Sequence, residues 1–378
     1  MKNTIKNLFC LSIISLLAGC GMQVTTTSKE SKQDSSSEIT SSSEAISSSS
    51  ASSSSKNPTT SRVTTTSRSS SSSSKANATS TPKDYVDNEL SSASGLTVKF
   101  KATGATIDKI TYSGKTIAKD GFVVGRCANR IANGKFSIDG TQYSVSINAS
   151  PHSLHGGAGS GMNSWRGPFA TKDWTKVEQT KTSITYRIVS ADKENGYPGE
   201  MTMTVKYTLS AEGDLSIEYT ATTTKDTLCN PTNHLFMAMN GNNSYDNIKL
   251  WIDADKYTPL SNQIPTGAIS SVTGTQFDYT TEKTFDSSKN YDDNYVLNGT
   301  GYRKVATMTG TTLKMKVDVY TDRPGLQLYK DGSGNICLET QMFPDMINHP
   351  EFADYGTTIL RAGETFNSKT TYSFTHFE

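Results

Sequence analysis

Two residues of this 378-residue chain have the chemistry of a proton relay, Glu339 near the C-terminus and His234 near the middle. Glu339 lies in the run 336–341, where Ile336, Leu338 and Thr340 alternate with Cys337, Glu339 and Gln341 at the period of a strand. A carboxylate in such a run faces an enclosed surface, and burying it unpaired is costly. It therefore belongs either to a structural ion pair or to a cavity in which it acts as a general base. His234 follows Asn230-Pro231-Thr232-Asn233 and shares a strand face with Phe236. An imidazole beside an aromatic on an enclosed face is a candidate general acid, set against the plainer role of a core histidine.

Three further clusters could bind a polar ligand. The segment 125–134 sets Arg126 and Arg130 around Cys127, Ala128 and Asn129, ahead of an Asn133-Gly134 turn. Its arginines either solvate a sheet edge or point one guanidinium inward as a rigid fork for hydroxyls. His155 precedes Gly156 and Gly157, which allow close backbone approach, although a lone histidine in a glycine loop is more often structural. Asp292 and Asp293 stand between Tyr291 and Tyr295, as ligands or as a polar turn with aromatic flanks.

These residues must be positioned by strands. Short alternating segments fill the chain from about residue 84 onward, and no helix longer than a turn or two is predicted. Met201, Met203, Val205, Tyr207 and Leu209 alternate with polar residues, a turn follows at 211–214, and Leu215, Ile217, Tyr219 and Ala221 alternate again, the pattern of an antiparallel hairpin. Other strands are expected at 97–100, 107–112, 142–147, 183–189, 247–252, 312–319, 325–330, 335–341 and 370–376. The fold class is therefore all-β, a large antiparallel β-sandwich over residues 83–378, with a core large enough to need no staples.

The N-terminal part reads differently. Lys2 and Lys6, the apolar run from Leu8 to Leu17 and the ending Leu17-Ala18-Gly19-Cys20 have the layout of a secretory signal over residues 1–19. The Leu-Ala-Gly-Cys ending resembles a bacterial lipobox, which implies lipidation of Cys20. Residues 20–82 then form a Ser/Thr-rich disordered tether, because they offer almost no apolar side chains to offset the entropy of folding. The expected location is the extracellular face of a bacterial cell membrane, of Gram-positive type, held by lipid without a span. Cys127, Cys229 and Cys337 remain in the folded part, an odd and scattered set that suggests buried thiols and neither disulfides nor a metal site. A net charge of +1 gives no reason to expect a nucleic-acid partner.

In this order the motifs resemble the aldose 1-epimerase (mutarotase) family. They are G-R-C-A-N-R-I-A-N-G-K-F at 125–136, S-L-H-G-G at 153–157, G-Y-P-G at 196–199, N-P-T-N-H at 230–234, P-T-G at 265–267, Y-D-D-N-Y-V-L at 291–297, P-G-L-Q-L-Y at 324–329, L-E-T-Q at 338–341 and F-P-D-M-I-N-H-P-E-F at 343–352. The resemblance implies a β-sandwich enzyme that interconverts the α and β anomers of free hexoses such as galactose or glucose. It implies Glu339 as general base and His234 as general acid, with Asn129, Arg130, His155, Asp292 and Gln327 holding sugar hydroxyls. The choice of Asp292 over Asp293 rests on aligning an aromatic-Asp-x-Asn frame. The connection at 112–124 is shorter than is usual in the family, which would alter one rim of the pocket, and Leu235-Phe236-Met237 replaces a more aromatic, hydroxyl-bearing run.

Ring opening asks a base to take the anomeric hydroxyl proton while an acid protonates the ring oxygen. The expected arrangement is an ionised Glu339 and a protonated His234 on opposite sides of the anomeric centre, with room for a sugar ring between them. Each positioned group contributes typically about 10²–10⁴ in rate, so neither metal nor organic cofactor is expected. The expected partner is a small aldose. A non-catalytic sugar-binding lipoprotein is the alternative, and action on sugar phosphates would need additional basic residues at the rim.

Overall fold

The hairpin foreseen at 201–222 shows how alternation becomes register. Met201–Leu209 pairs with Asp214–Thr223 so that Met201 faces Thr223 and Leu209 faces Leu215. Met201, Met203, Val205, Tyr207 and Leu209 are all buried, and the residues between them face outward. The computed structural model describes residues 85–241 and 244–378; the expected signal peptide, the lipidated Cys20 and the tether lie outside the described residues.

Among the described residues, two large antiparallel sheets stack over one core. The first has ten strands, running from Glu89–Ser91 through Leu96–Lys101, Thr106–Tyr112, Lys115–Val124, Thr232–Met237, Ile336–Gln341, Gly325–Lys330 and Asp292–Val296 to the short Lys256–Tyr257 and Ser270–Ser271. The second has nine, with Arg303–Gly310, Met315–Thr321, Phe366–His376, Asp214–Thr223, Met201–Leu209 and Ser183–Ser190 at its centre. Leu326, Leu328 and Leu338 of the first sheet join Met203, Val205, Ile217 and Val317 of the second in one apolar cluster. Helices are confined, among the described residues, to Pro168–Thr171 and a few 3₁₀ turns.

Several boundaries differ from expectation. The strand expected at 312–319 runs over Met315–Thr321, because Lys314 takes a left-handed conformation and closes the preceding turn. The expected strand at 142–147 shortens to Thr141–Ser144. Lys115–Val124 was not foreseen as a strand, and alternation could not reveal it: Phe122, Val123 and Val124 are buried in succession because both faces are covered. The short connection noted at 112–124 is thus a tight turn at Ser113-Gly114 followed by a ten-residue strand.

Candidate active site

Four adjacent strands of the ten-stranded sheet carry the polar groups: Thr232–Met237 holds His234, Ile336–Gln341 holds Glu339, Gly325–Lys330 holds Gln327 and Asp292–Val296 holds Asp292. Gln327 lies opposite Glu339 in register, and both alternate with Leu326, Leu328 and Leu338, so they point away from the apolar core. There they line a pocket of about 470 Å³ together with Asn129, Arg130, His155, His234 and Asp292. Every site residue expected from the sequence is on its wall. Asp293 is not, because its side chain turns to the other face, where its Oδ2 accepts from the Asp292 N–H at 3.0 Å. The pair of acids is therefore neither a double ligand nor a turn but two faces of one strand.

Arg130 and His155 arrive from outside the sheet. The two-residue strands Arg130–Ile131 and Ser153–Leu154 pair with each other, which zips the A-N-R and S-L-H-G-G segments together. The Asn129 N–H donates to His155 Nδ1 at 3.2 Å, and the His155 N–H donates to the Asn129 carbonyl at 2.9 Å. Since Nδ1 accepts, the neutral ring carries its proton on Nε2. Gly156 makes this packing possible. Its φ is +88°, and a Cβ there would stand 2.1 Å from the Gly125 carbonyl oxygen. The two arginines divide as the sequence left open. Arg126 is fully buried in a structural role, donating to Ser190 Oγ, Thr227 Oγ1 and the carbonyls of Ser190, Ala191 and Pro198. Arg130 forks onto Asp292 Oδ2 at 3.3 and 3.4 Å, and its buried Nε has no partner among the described residues. Asp292 Oδ1 accepts in turn from Gln327 at 2.8 Å.

His234 Nε2 lies 3.5 Å from Glu339 Oε1, with both side chains almost fully enclosed. This corrects two expectations. The groups touch, so no sugar ring fits between them, and both face the pocket from the same side. Nor does the enclosed pocket favour a carboxylate and an imidazolium. Phe122 stacks on the imidazole at 4.9 Å, with Phe236 at 4.7 Å and Tyr329 at 5.5 Å, and the resulting desolvation lowers the His234 pKa to about 3. Burial raises Glu339 well above its ordinary range, reinforced by the charge of Asp292 and opposed by Arg130. A proton held by the pair therefore favours Glu339, and His234 is neutral. His155 is held neutral as well, by burial first and then by His234 and Arg130.

Comparison with known proteins bears on what this pocket is. Residues 87–373 match the aldose 1-epimerase family. The chain belongs to that family. Among its relatives, galactose mutarotase of Rattus norvegicus is 36% identical over 283 residues, covering 67% of this chain and 78% of that one. The aldose 1-epimerase of Haemophilus influenzae is 31% identical, covering 67% of this chain and 80% of the other. An aldose epimerase homologue from C. elegans superposes with a TM-score of 0.68 at 25% identity, over 77% of this chain and 98% of its own. The β-sandwich expected from the sequence is the fold this epimerase shares with that structure.

Reading the epimerase sequence residue by residue missed part of the wall. Tyr329, Leu154 and Trp165 also line the pocket. Tyr329 could have been found, since it lies two residues from Gln327 on the same strand face. Phe122 was missed with its strand, and Trp165 sits in a Gly- and Ser-rich connection without periodicity. The three thiols are buried and free, as expected, and burial pushes Cys127 and Cys229 up to about 12. Cys337 has a closer relation to the site, with Sγ 3.5 Å from His234 Nδ1. His234, Cys337 and Glu339 thus cluster, yet the thiol and the carboxyl approach opposite ring nitrogens. That is the arrangement of a hydrogen-bonded chain and not of three ligands converging on one ion.

Proposed function

We propose that this pocket interconverts the α and β anomers of free hexoses by acid–base ring opening, with Glu339 and His234 as the reacting groups. The observation that carries this reading is the 3.5 Å approach of Glu339 Oε1 to His234 Nε2 in a pocket whose wall also carries the hydrogen-bonding side chains of Asn129, Arg130, His155, Asp292 and Gln327. The anomeric and ring oxygens are bonded to the same carbon, so they too lie close together. A sugar resting above the pair can offer one oxygen to each group from one side.

As the sugar enters, the resting proton passes from Glu339 to His234, which leaves the net charge of the pair unchanged. The anomeric hydroxyl then donates to the carboxylate, and the ring oxygen accepts from Nε2. Opening transfers the anomeric proton to Glu339, forms the carbonyl, breaks the bond from C1 to the ring oxygen, and places the imidazolium proton on that oxygen. The pair is then a carboxylic acid beside a neutral imidazole, the state that burial favours. The enclosed site thereby stabilises the open-chain stage relative to the charged pair. Rotation about C1–C2 and reversal of both transfers give the other anomer. The unpaired Arg130 Nε and the Nε2–H of His155 are donors suited to orient sugar hydroxyls.

Galactose is the first aldose to test, since several relatives are named galactose mutarotases. Polarimetry of freshly dissolved α-anomer should show accelerated decay with the protein. Glu339→Gln and His234→Asn should each lower kcat at least about 100-fold. A well-folded wild-type protein that binds the sugar without accelerating decay would leave a binding lipoprotein as the better reading. We further propose, on the Leu-Ala-Gly-Cys ending of the N-terminal segment, that a lipid on Cys20 holds the enzyme outside a bacterial cell membrane.

A further inference from the structure

On the side of the pocket where the sequence shows a short 112–124 connection, the rim is supplied by another segment. This is the 3₁₀ turn Gly161–Arg166, which projects from the connection after His155. Trp165 of this turn reaches the pocket wall. Its ring lies roughly perpendicular to those of His234 and Phe122, each with centroids 6.0 Å away, yet 36% of the residue remains exposed. The next residue fixes it there. The Arg166 guanidinium lies 4.7 Å above the Phe122 ring and 5.2 Å from the Trp165 ring, and it is bound to both carboxylate oxygens of Asp120 at 3.0 and 2.7 Å. Asp120 and Phe122 belong to Lys115–Val124, so the turn is clamped onto the strand that pairs with the His234 strand.

We propose that Trp165 is the surface against which the C–H face of the sugar ring packs, and that it determines which aldose the pocket prefers. The proposal rests on the mutarotase reading of the same site. A pyranose presents hydroxyls around its edge and C–H bonds on its faces. Arg130, Asp292 and Gln327 serve the edge, which leaves the faces needing an apolar wall. A half-exposed indole beside a polar pocket is such a wall, since its electron-rich ring attracts the weakly positive C–H hydrogens. In the galacto configuration the axial 4-hydroxyl turns away from one face and leaves the hydrogens of C3, C4 and C5 together there. The gluco configuration divides these hydrogens between the two faces. Packing on Trp165 therefore favours galactose over glucose, and the effect falls on binding because the indole reaches neither oxygen that exchanges protons.

The test combines mutarotation kinetics with intrinsic fluorescence of the full chain, using galactose and glucose. The chain has three tryptophans, and of the other two Trp174 is buried in the core while Trp251 lies on the second sheet. Trp165→Ala should raise the KM for galactose about tenfold, lower kcat much less, and bring the galactose-to-glucose preference close to one. Trp165→Phe should retain most of the affinity while abolishing the fluorescence change on galactose addition, and it serves as the control should the alanine variant fold poorly. An unchanged KM and preference in Trp165→Ala, or a fluorescence response that survives Trp165→Phe, overturns the proposal while leaving the mutarotase reading intact. A wild-type protein without rate enhancement, whose galactose-dependent fluorescence change is lost in Trp165→Phe, upholds Trp165 as the sugar platform and overturns the mutarotase reading.

Discussion

Burial sets the resting protonation of Glu339, and this leaves a mark on stability. Below its ordinary value of 4.5 the carboxyl is neutral in both folded and unfolded chains. As the pH rises above 4.5, the unfolded chain releases a proton that the folded chain retains, so folding becomes progressively less favourable until the buried group itself ionises. Glu339→Gln removes this penalty. The variant should melt about 2–4 °C above wild type at pH 8, a gain of about 1 kcal/mol, and close to wild type at pH 4. Equal shifts at both pH values in calorimetry would mean that the acid is not held protonated by its surroundings. Legibility at this scale was uneven. That Glu339 and His234 face enclosed surfaces followed from alternation, and that Asp292 and Gln327 share their pocket followed from family resemblance. Their resting protonation did not, because it depends on Phe122, Phe236 and Tyr329 packing around the imidazole from other strands.

At the scale of elements, the pocket depends on a buried brace. Arg126 spends its guanidinium donors on the end of Ser183–Ser190, the following Ala191, the Pro198 carbonyl of the G-Y-P-G motif and Thr227. Its pKa falls to about 10 through desolvation, so the side chain still carries its charge at neutral pH. Arg126→Met keeps much of the volume but leaves the buried Ser190 and Pro198 carbonyls without donors, each costing about 1–3 kcal/mol. Denaturant unfolding should show a loss of about 3 kcal/mol or more, and a loss below about 1 kcal/mol would show that water or local shifts replace the brace. Local spacing offered Arg126 and Arg130 as equivalent candidates four residues apart, and only the family resemblance singled out Arg130. The division of labour between them is set by contacts 64 to 162 residues away, beyond the reach of local pattern. The central strand Lys115–Val124 escaped notice for a related reason, since a strand covered on both faces shows no alternation.

At the scale of the whole molecule, the folded part is an epimerase sandwich whose active face is carried on one sheet, while the other sheet completes the core behind it. The N-terminal segment can be tested separately. The wild-type protein should incorporate a labelled fatty acid and Cys20→Ala should not, and a membrane-held wild type without that label would defeat the lipid anchor. By itself the sequence determined the β class, the hairpin at 201–222, the family, and the residue types available for acid–base chemistry, because alternation, turn chemistry and ordered motifs are local properties of the chain. Only the tertiary structure decided that Glu339 and His234 touch and face the pocket from the same side, that Asp293 turns to the other face of its strand, and that Trp165 forms the rim. Those outcomes depend on distances and desolvation between segments far apart in sequence, which local periodicity does not encode.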